Sequence, residues 1–201
     1  EGNASQVFAL DSAQGSLSLN ERLNYEADSA YSLTVEVTDD ARHAFSDRDT
    51  IRVHVRDTND APILPNASCE LEEHPPDGTP IDTLKASDED AGQHLTYHIT
   101  DTLWQEGFAI DSLQGVVQVK NGHFINYEKT SSISLDVTVS DDGDPQLSDT
   151  ARVSIALKDV NDPPVFTSEP VLHVKEDSTY DYHIQSFDED GHALEIKALE
   201  K

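Results

Sequence analysis

The sequence predicts an all-β chain of small antiparallel β-sandwiches in tandem, and three observations carry that expectation. The run Asp57-Thr58-Asn59-Asp60-Ala61-Pro62 returns almost unchanged as Asp159-Val160-Asn161-Asp162-Pro163-Pro164. The two copies lie roughly one small domain, about a hundred residues, apart. Between them, apolar and polar residues alternate in short stretches broken by Gly, Pro and Asp, the period of half-buried strands. No stretch keeps a helical apolar period over two capped turns, and many short strands with turn signals between them read as sandwiches.

The elements follow in order. Phe8-Ala9-Leu10-Asp11, a turn at Gly15, then Leu17 and Leu19 predict a first hairpin. Leu23-Asn24-Tyr25-Glu26 follows, and Tyr31, Leu33, Val35 and Val37 alternate as a strand. A polar loop spans Asp39–Asp49, after which Ile51, Val53 and Val55 form the strand entering the first Asp/Asn run. The next unit repeats these features in full. Glu72–Thr79 is a turn-rich opening, Asp88-Glu89-Asp90-Ala91-Gly92 follows, and Leu95, Tyr97 and Ile99 alternate. Phe108–Asp111 matches Phe8–Asp11, and Ile125-Asn126-Tyr127-Glu128 matches Leu23–Glu26. Ile133, Leu135, Val137 and Val139 form a strand, Asp141–Pro145 turns the chain, and Val153, Ile155 and Leu157 lead into the second run. A third unit then starts, with Glu176 matching Glu73 and Asp188-Glu189-Asp190-Gly191 matching Asp88–Gly92. The expected organisation is therefore 1–60, the later part of one repeat; 61–162, a complete repeat; and 163–201, the opening of another.

Both Asp/Asn runs end in proline, which stops a strand ladder by removing a backbone donor, so each reads as a linker. The chain has 40 Asp+Glu against 13 Lys+Arg, a formal charge of −27. That balance argues against nucleic acid and anionic membranes and points to cations as partners. Disorder is the other reading of such charge, but the 36% hydrophobic residues fall at strand spacing. One cysteine, Cys69, excludes a disulfide within the chain, so something other than sulfur must stiffen these small units. No apolar run reaches 18 residues, the membrane-span length.

The linkers carry more oxygen than solubility requires. Packed with Glu26, Asp88, Asp90 and Asp141, the first linker gathers carboxylates from Asp57 and Asp60 into one volume. Like charges about 4 Å apart repel by about 4 kcal/mol per pair at an effective dielectric near 20. Such a cluster binds metal or splays open, and calcium takes six to eight oxygen ligands of just these kinds.

With these motifs in place the chain resembles the cadherin repeat family. Glu73 and Glu176 match the family's opening Glu. Asn24-Tyr25-Glu26 and Asn126-Tyr127-Glu128 match its Asp-x-Glu. Asp88-Glu89-Asp90 and Asp188-Glu189-Asp190 match its Asp-x-Asp. Asp39 and Asp141 (with Gly143) match its loop aspartate, and both linkers match its D-x-N-D-x-P. The wording of Val-Ser-Asp-Asp-Gly and Asp-Val-Asn-Asp-Pro-Pro is closer to bacterial cadherin-like surface proteins than to vertebrate receptors. The resemblance implies tandem cadherin-like Greek-key β-sandwiches with calcium-binding interdomain linkers. It implies a first cluster of Asn24, Glu26, Asp57, the Thr58 carbonyl, Asn59, Asp60, the Ala61 carbonyl, Asp88, Asp90 and Asp141. The second would use Glu73, Asn126, Glu128, Asp159, the Val160 carbonyl, Asn161, Asp162, Asp188 and Asp190. Family clusters hold up to three ions. The Asn-x-Glu departure removes a charge from the outermost site, which is expected to be weak or empty. The first linker lacks an upstream opening Glu and the second a downstream loop Asp. Glu176 and Asp39 of neighbouring molecules would fill those vacancies if the flanking part-repeats complemented each other head to tail, the alternative being simple frayed ends.

The functional expectation is a calcium-dependent adhesion module, a segment of a larger cell-surface or secreted protein with homophilic or other protein contacts. A carbohydrate-binding module, taking polysaccharide, and a passive spacer are the alternatives. Trp104 reads as core or loop packing before sugar stacking, and Tyr25 and Tyr127 as packing residues. Asn3-Ala4-Ser5 and Asn66-Ala67-Ser68 fit a glycosylation acceptor pattern common by chance. The nine histidines show no transition-metal spacing, and no nucleophile elbow or phosphate loop occurs, so no enzyme is expected.

Overall fold

The computed structural model describes residues 7–170 and 173–199, so Asn3 lies outside the described residues. They fall into two compact units. The first runs to Pro62 and includes the segments Ser87–His94 and Ser140–Ser148. Its strands β1 (Phe8–Asp11) and β2 (Ser16–Leu19) form a hairpin in register Phe8↔Leu19. The Asp11 carboxylate accepts the N–H groups of Ala13 and Gln14, and Gly15, at φ 68°, closes the turn in a conformation that suits glycine. β3 (Ala30–Thr38) and β4 (Ser46–His54) pair antiparallel, and Val7, Phe8 and Leu33 are buried with Leu17, Leu23, Tyr31 and Val53 against them. Phe8 meets Tyr31 edge-on, ring centroids 5.2 Å apart.

A two-sheet sandwich occupies most of the second unit. One sheet has the order β5-β11-β10-β7, built from β5 (Ala67–Glu72), β7 (Thr96–Ile99), β10 (Ser132–Ser140) and β11 (Ser148–Lys158). The other has the order β6-β9-β8, from β6 (Pro80–Thr83), β8 (Phe108–Ile110) and β9 (Val116–Val119). The alternating residues Leu135, Val137, Val139, Val153 and Ile155 are all but sealed from solvent, and Phe108, Val117 and Val119 close over them from the facing sheet. Each such side chain contributes about 1.5–3 kcal/mol of burial free energy. A short 3₁₀ turn, Gly122–Phe124, and the strands β12 (Val165–Phe166) and β13 (Ser186–Phe187) complete the described elements.

Three features differ from the sequence reading. The sandwich is not wholly antiparallel: β5 runs parallel to β11, in register Val153↔Ala67 through Lys158↔Glu72. A repeat's first strand thus enters beside its last in the same direction, with the whole sandwich forming the crossover between them. β5 itself gave a weak signal, because only Ala67, Cys69 and Leu71 alternate inward among polar residues. The loop at 39–49 is shorter than expected, since β4 starts at Ser46 and its polar residues pair with Glu36–Thr38 along the backbone, with Arg48 adding an ion pair to Glu36 at 3.2 Å. Trp104 packs on the core, edge-on to Phe108, as does Tyr127, whereas Tyr25 is 39% exposed and does not meet the packing expectation. Asn66 is exposed but its side chain accepts the Arg152 N–H, and Cys69 is half-buried on β5, where burial raises its thiol pKa.

Candidate metal centres

Each linker lies within one unit, together with the loops that approach it. At the first, Asp60 N–H donates to Asp90 Oδ2 at 2.8 Å, bringing the linker against the Asp-Glu-Asp loop. Carboxylate oxygens of Glu26, Asp57 and Asp90 lie within 4.8 Å of one another, as do those of Glu26, Asp60 and Glu89. Asp88 Oδ1 receives the Asp90 N–H, but its Oδ2 is buried with no donor among the described residues. Asn59 makes a separate tie: its amide donates to Asp141 Oδ2 and the Pro145 carbonyl, both at 3.0 Å, and its oxygen accepts from Gln93. Thr58 and Ala61 lie exposed within this linker.

The second linker repeats the scheme. Asp162 N–H donates to Asp190 Oδ2 at 2.7 Å. Carboxylate oxygens of Glu73, Glu128 and Asp159 gather within 4.8 Å. The Glu73 side chain is buried and accepts the N–H groups of Tyr127 and Val160, which pins the linker to it. Asp188 is also buried, and Asp162 Oδ2 and Asp190 Oδ1 have no donor among the described residues. Asn161 differs from Asn59 in donating only to the neighbouring Asp162 carbonyl. His74 and His192 enter these acidic groups, with Nδ1 of His74 3.4 Å from Asp162 and that of His192 3.5 Å from Asp188.

Electrostatics separates the oxygens that repel from those that are hydrogen-bonded. At Glu26 its own backbone N–H holds the carboxyl down, but lost hydration and then Asp57, Asp90 and Asp60 raise it above its ordinary value. Glu128 behaves alike: its backbone N–H opposes lost hydration and the charges of Glu73 and Asp190, and the rise wins. Asp159 is raised by lost hydration and by Asp190 and Glu73. Asp141 goes the other way. Burial pushes it up, yet the donors from Leu147, Asn59 and Gly143 hold it below the usual carboxylate range. It therefore ties down the linker, and Gly143 makes room for this, since a Cβ there would overlap the Asn59 amide.

Asp39 adopts the same loop cap as Asp141: its carboxylate accepts the N–H groups of Ala41 and Phe45 where Asp141 accepts those of Gly143 and Leu147. Glu176 sits exposed in a turn. Neither supplies an oxygen to the groups above. The oxygens of Asn24 and Asn126 cap their own turns, at 2.6 Å from Ala27 N and 2.9 Å from Lys129 N, and their amides donate to Glu89 and Glu189. Glu89, Glu189, His74, His192 and Gln93 went unread in the sequence. The two glutamates sit in the middle of Asp-Glu-Asp, where a loop, unlike a strand, turns consecutive side chains to one side.

The donors suit a hard divalent cation: oxygen atoms predominate, several are carboxylate, and three buried carboxylate oxygens lack a donor among the described residues. A profile of the cadherin domain matches residues 1–56 and 67–158. The chain is 34% identical over 172 residues to "Protocadherin Fat 1" of Homo sapiens, covering 83% of this chain and 4% of that protein. It is likewise 34% identical over 180 residues to "Protocadherin-like wing polarity protein stan" of Drosophila melanogaster, covering 83% of this chain and 5% of that one. Among solved structures, "Protocadherin Gamma B2 extracellular cadherin domains 3-6" superposes with a TM-score of 0.58 at 26% identity, over 84% of this chain and 43% of that one. "Mouse Cadherin-23 EC22-24" shares the fold, with a TM-score of 0.56 at 24% identity over 81% of this chain and 53% of that one.

Two outcomes are expected. Gly143→Ala displaces Asn59 and weakens calcium binding at the first linker by about tenfold, leaving the second unchanged in titration calorimetry; equal effects on both would contradict the tie. In chelator, stability depends on pH through Glu26, Glu128 and Asp159. Raised folded-state pKa values mean that the folded chain binds more protons in the window from about pH 4 up to the raised values. Stability from this source therefore falls as pH rises through that window. The Asp141 contribution has the opposite sign, being lost as pH falls below the ordinary carboxylate range. Denaturation midpoints in chelator should rise between pH 7 and about pH 5, and a monotonic fall would contradict the assigned repulsion.

Proposed function

The chain belongs to the cadherin family, and we propose that its two linkers are calcium centres which stiffen a cell-surface adhesion module. Cadherin domains are calcium-binding adhesion modules and not enzymes. The chain spans 4–5% of the length of the relatives described above, so the adhesive role of the whole protein is part of this proposal. The observation that carries it is the set of buried carboxylate oxygens without donors among the described residues, Asp88 Oδ2 at one linker and Asp162 Oδ2 and Asp190 Oδ1 at the other.

In this reading Glu26, Asp57, Asp60, Asp88 and Asp90, with the Thr58 and Ala61 carbonyls, hold the first centre, and Asn59 and Asp141 fix the linker beside it. Glu73, Glu128, Asp159, Asp162, Asp188 and Asp190, with the Val160 carbonyl and Asn161, hold the second. Bound calcium supplies positive charge that offsets the carboxylate repulsion and adds stability as RT ln(1 + [L]/Kd). The chain's own part is to gather these oxygens and to aim the N–H groups of Asp60 and Asp162 at Asp90 and Asp190. Residues 61–162 act as a complete repeat, flanked by parts of two others. The partners are extracellular proteins, a second copy of this chain among them. Exposed apolar residues support such contacts: Val37 and Phe45 in the first unit, Val174 and Leu199 in the second.

Analytical ultracentrifugation at several protein concentrations, with calcium and then chelator, tests the reading. Reversible calcium-dependent growth in mass is expected. A monomer whose frictional ratio changes with calcium would keep the stiffening and remove self-association, and no response would remove both.

A further inference from the structure

Both linkers contain one contact that a chain of calcium ligands does not explain. Asn24 Nδ2 donates to Glu89 Oε2 at 2.6 Å, and Asn126 Nδ2 to Glu189 Oε2 at 3.2 Å. In each case the asparagine oxygen is already engaged by a backbone N–H three residues on, so the end turned toward the acidic cluster is the amide hydrogens. Hydrogens with partial positive charge repel a cation and attract a carboxylate. Asn126 is only 2% exposed, so its orientation is fixed by packing as well as by its partners. Glu89 belongs to the carboxylate crowding, with an oxygen within 4.8 Å of those of Glu26 and Asp60.

We infer that Asn24–Glu89 and Asn126–Glu189 are ion-independent latches that clip the Asp-Glu-Asp loop onto the Asn-x-Glu segment, and that Asn24 and Asn126 are positioning residues instead of calcium ligands. The inference rests on the calcium reading of the linkers and deepens it in two ways. An amide donor stands where a carboxylate would call for a further ion, so each linker holds fewer ions than its count of acidic motifs suggests. The latch also holds the loop close before calcium arrives, which a pair of carboxylates, repelling each other, would not do. The same pairing at two separate linkers, from the same two motifs, makes a chance side-chain placement a poor explanation.

The test measures bound calcium at saturation, by equilibrium dialysis with radioactive calcium, and linker cleavage by protease in chelator. Wild type, Asn24→Ala and Asn24→Asp are compared; residue 24 is exposed, so folding is not at stake. Asn24→Ala should leave the number of bound ions unchanged and speed cleavage in chelator about threefold to tenfold. Asn24→Asp should bind one additional ion and be cleaved fastest in chelator. Loss of an ion in Asn24→Ala would make Asn24 a ligand and overturn the inference, as would an unchanged ion count in Asn24→Asp or cleavage in Asn24→Ala equal to wild type. Wild type binding no calcium would overturn the linker centres themselves, and the chelator arm would then decide the latch alone.

Discussion

Carboxylates that repel one another are held together at both linkers, and the rest of the structure depends on how that repulsion is met. The chain gathers Glu26, Asp57, Asp60 and Asp90 in one place and Glu73, Glu128 and Asp159 in another, all within contact range of further acids. Part of the charge is met by backbone: Asp60 and Asp162 point their N–H groups at Asp90 and Asp190, and Glu73 takes two more. What remains is visible in the upward shifts of Glu26, Glu128 and Asp159 and in oxygens with no donor. Hydrogen bonding from the described residues is thus incomplete at both linkers, at Asp88 in one and at Asp162 and Asp190 in the other. Under the proposed function a divalent cation completes it.

The sandwich makes this possible by fixing where the loops emerge. Buried alternation along β10 and β11 seats Asp141 at the mouth of a turn, where three donors hold it and it holds Asn59 in return. Residue by residue, the capping geometry recurs: Asp11 and Asp111 close equivalent turns, as do Asp39 and Asp141, and Asn24 and Asn126. Short polar side chains that bond their own backbone set the loops, and the loops set the carboxylates. The two linkers are not identical, since Asn59 is tied into a loop and Asn161 is not. The histidines at 74 and 192 also belong to the second linker alone in the groups described.

Much of this was legible in the sequence because its signals are periodic. Alternation along Ile133–Val139 and Val153–Leu157 marks strands whatever surrounds them, and an acidic run before proline marks a linker. Pairing direction was not legible: β5 lies parallel to β11 because of how the repeat closes, which no local pattern carries. The roles of individual polar atoms were hidden as well. Asn24 and Asn126 sit where the family places a carboxylate, and only the geometry shows the amide turned to a glutamate. Glu89 and Glu189 were assigned no role, because the Asp-x-Asp pattern marks only the residues on either side of them.

The most direct measurement is the thermal midpoint of this chain as a function of calcium concentration from chelator to the millimolar range, for the wild type and for Asp88→Asn with Asp162→Asn. Calcium centres at the linkers predict a midpoint that climbs with the logarithm of calcium concentration in the wild type and stays nearly flat in the double variant. A wild-type midpoint indifferent to calcium, or a variant that climbs equally, would contradict the account.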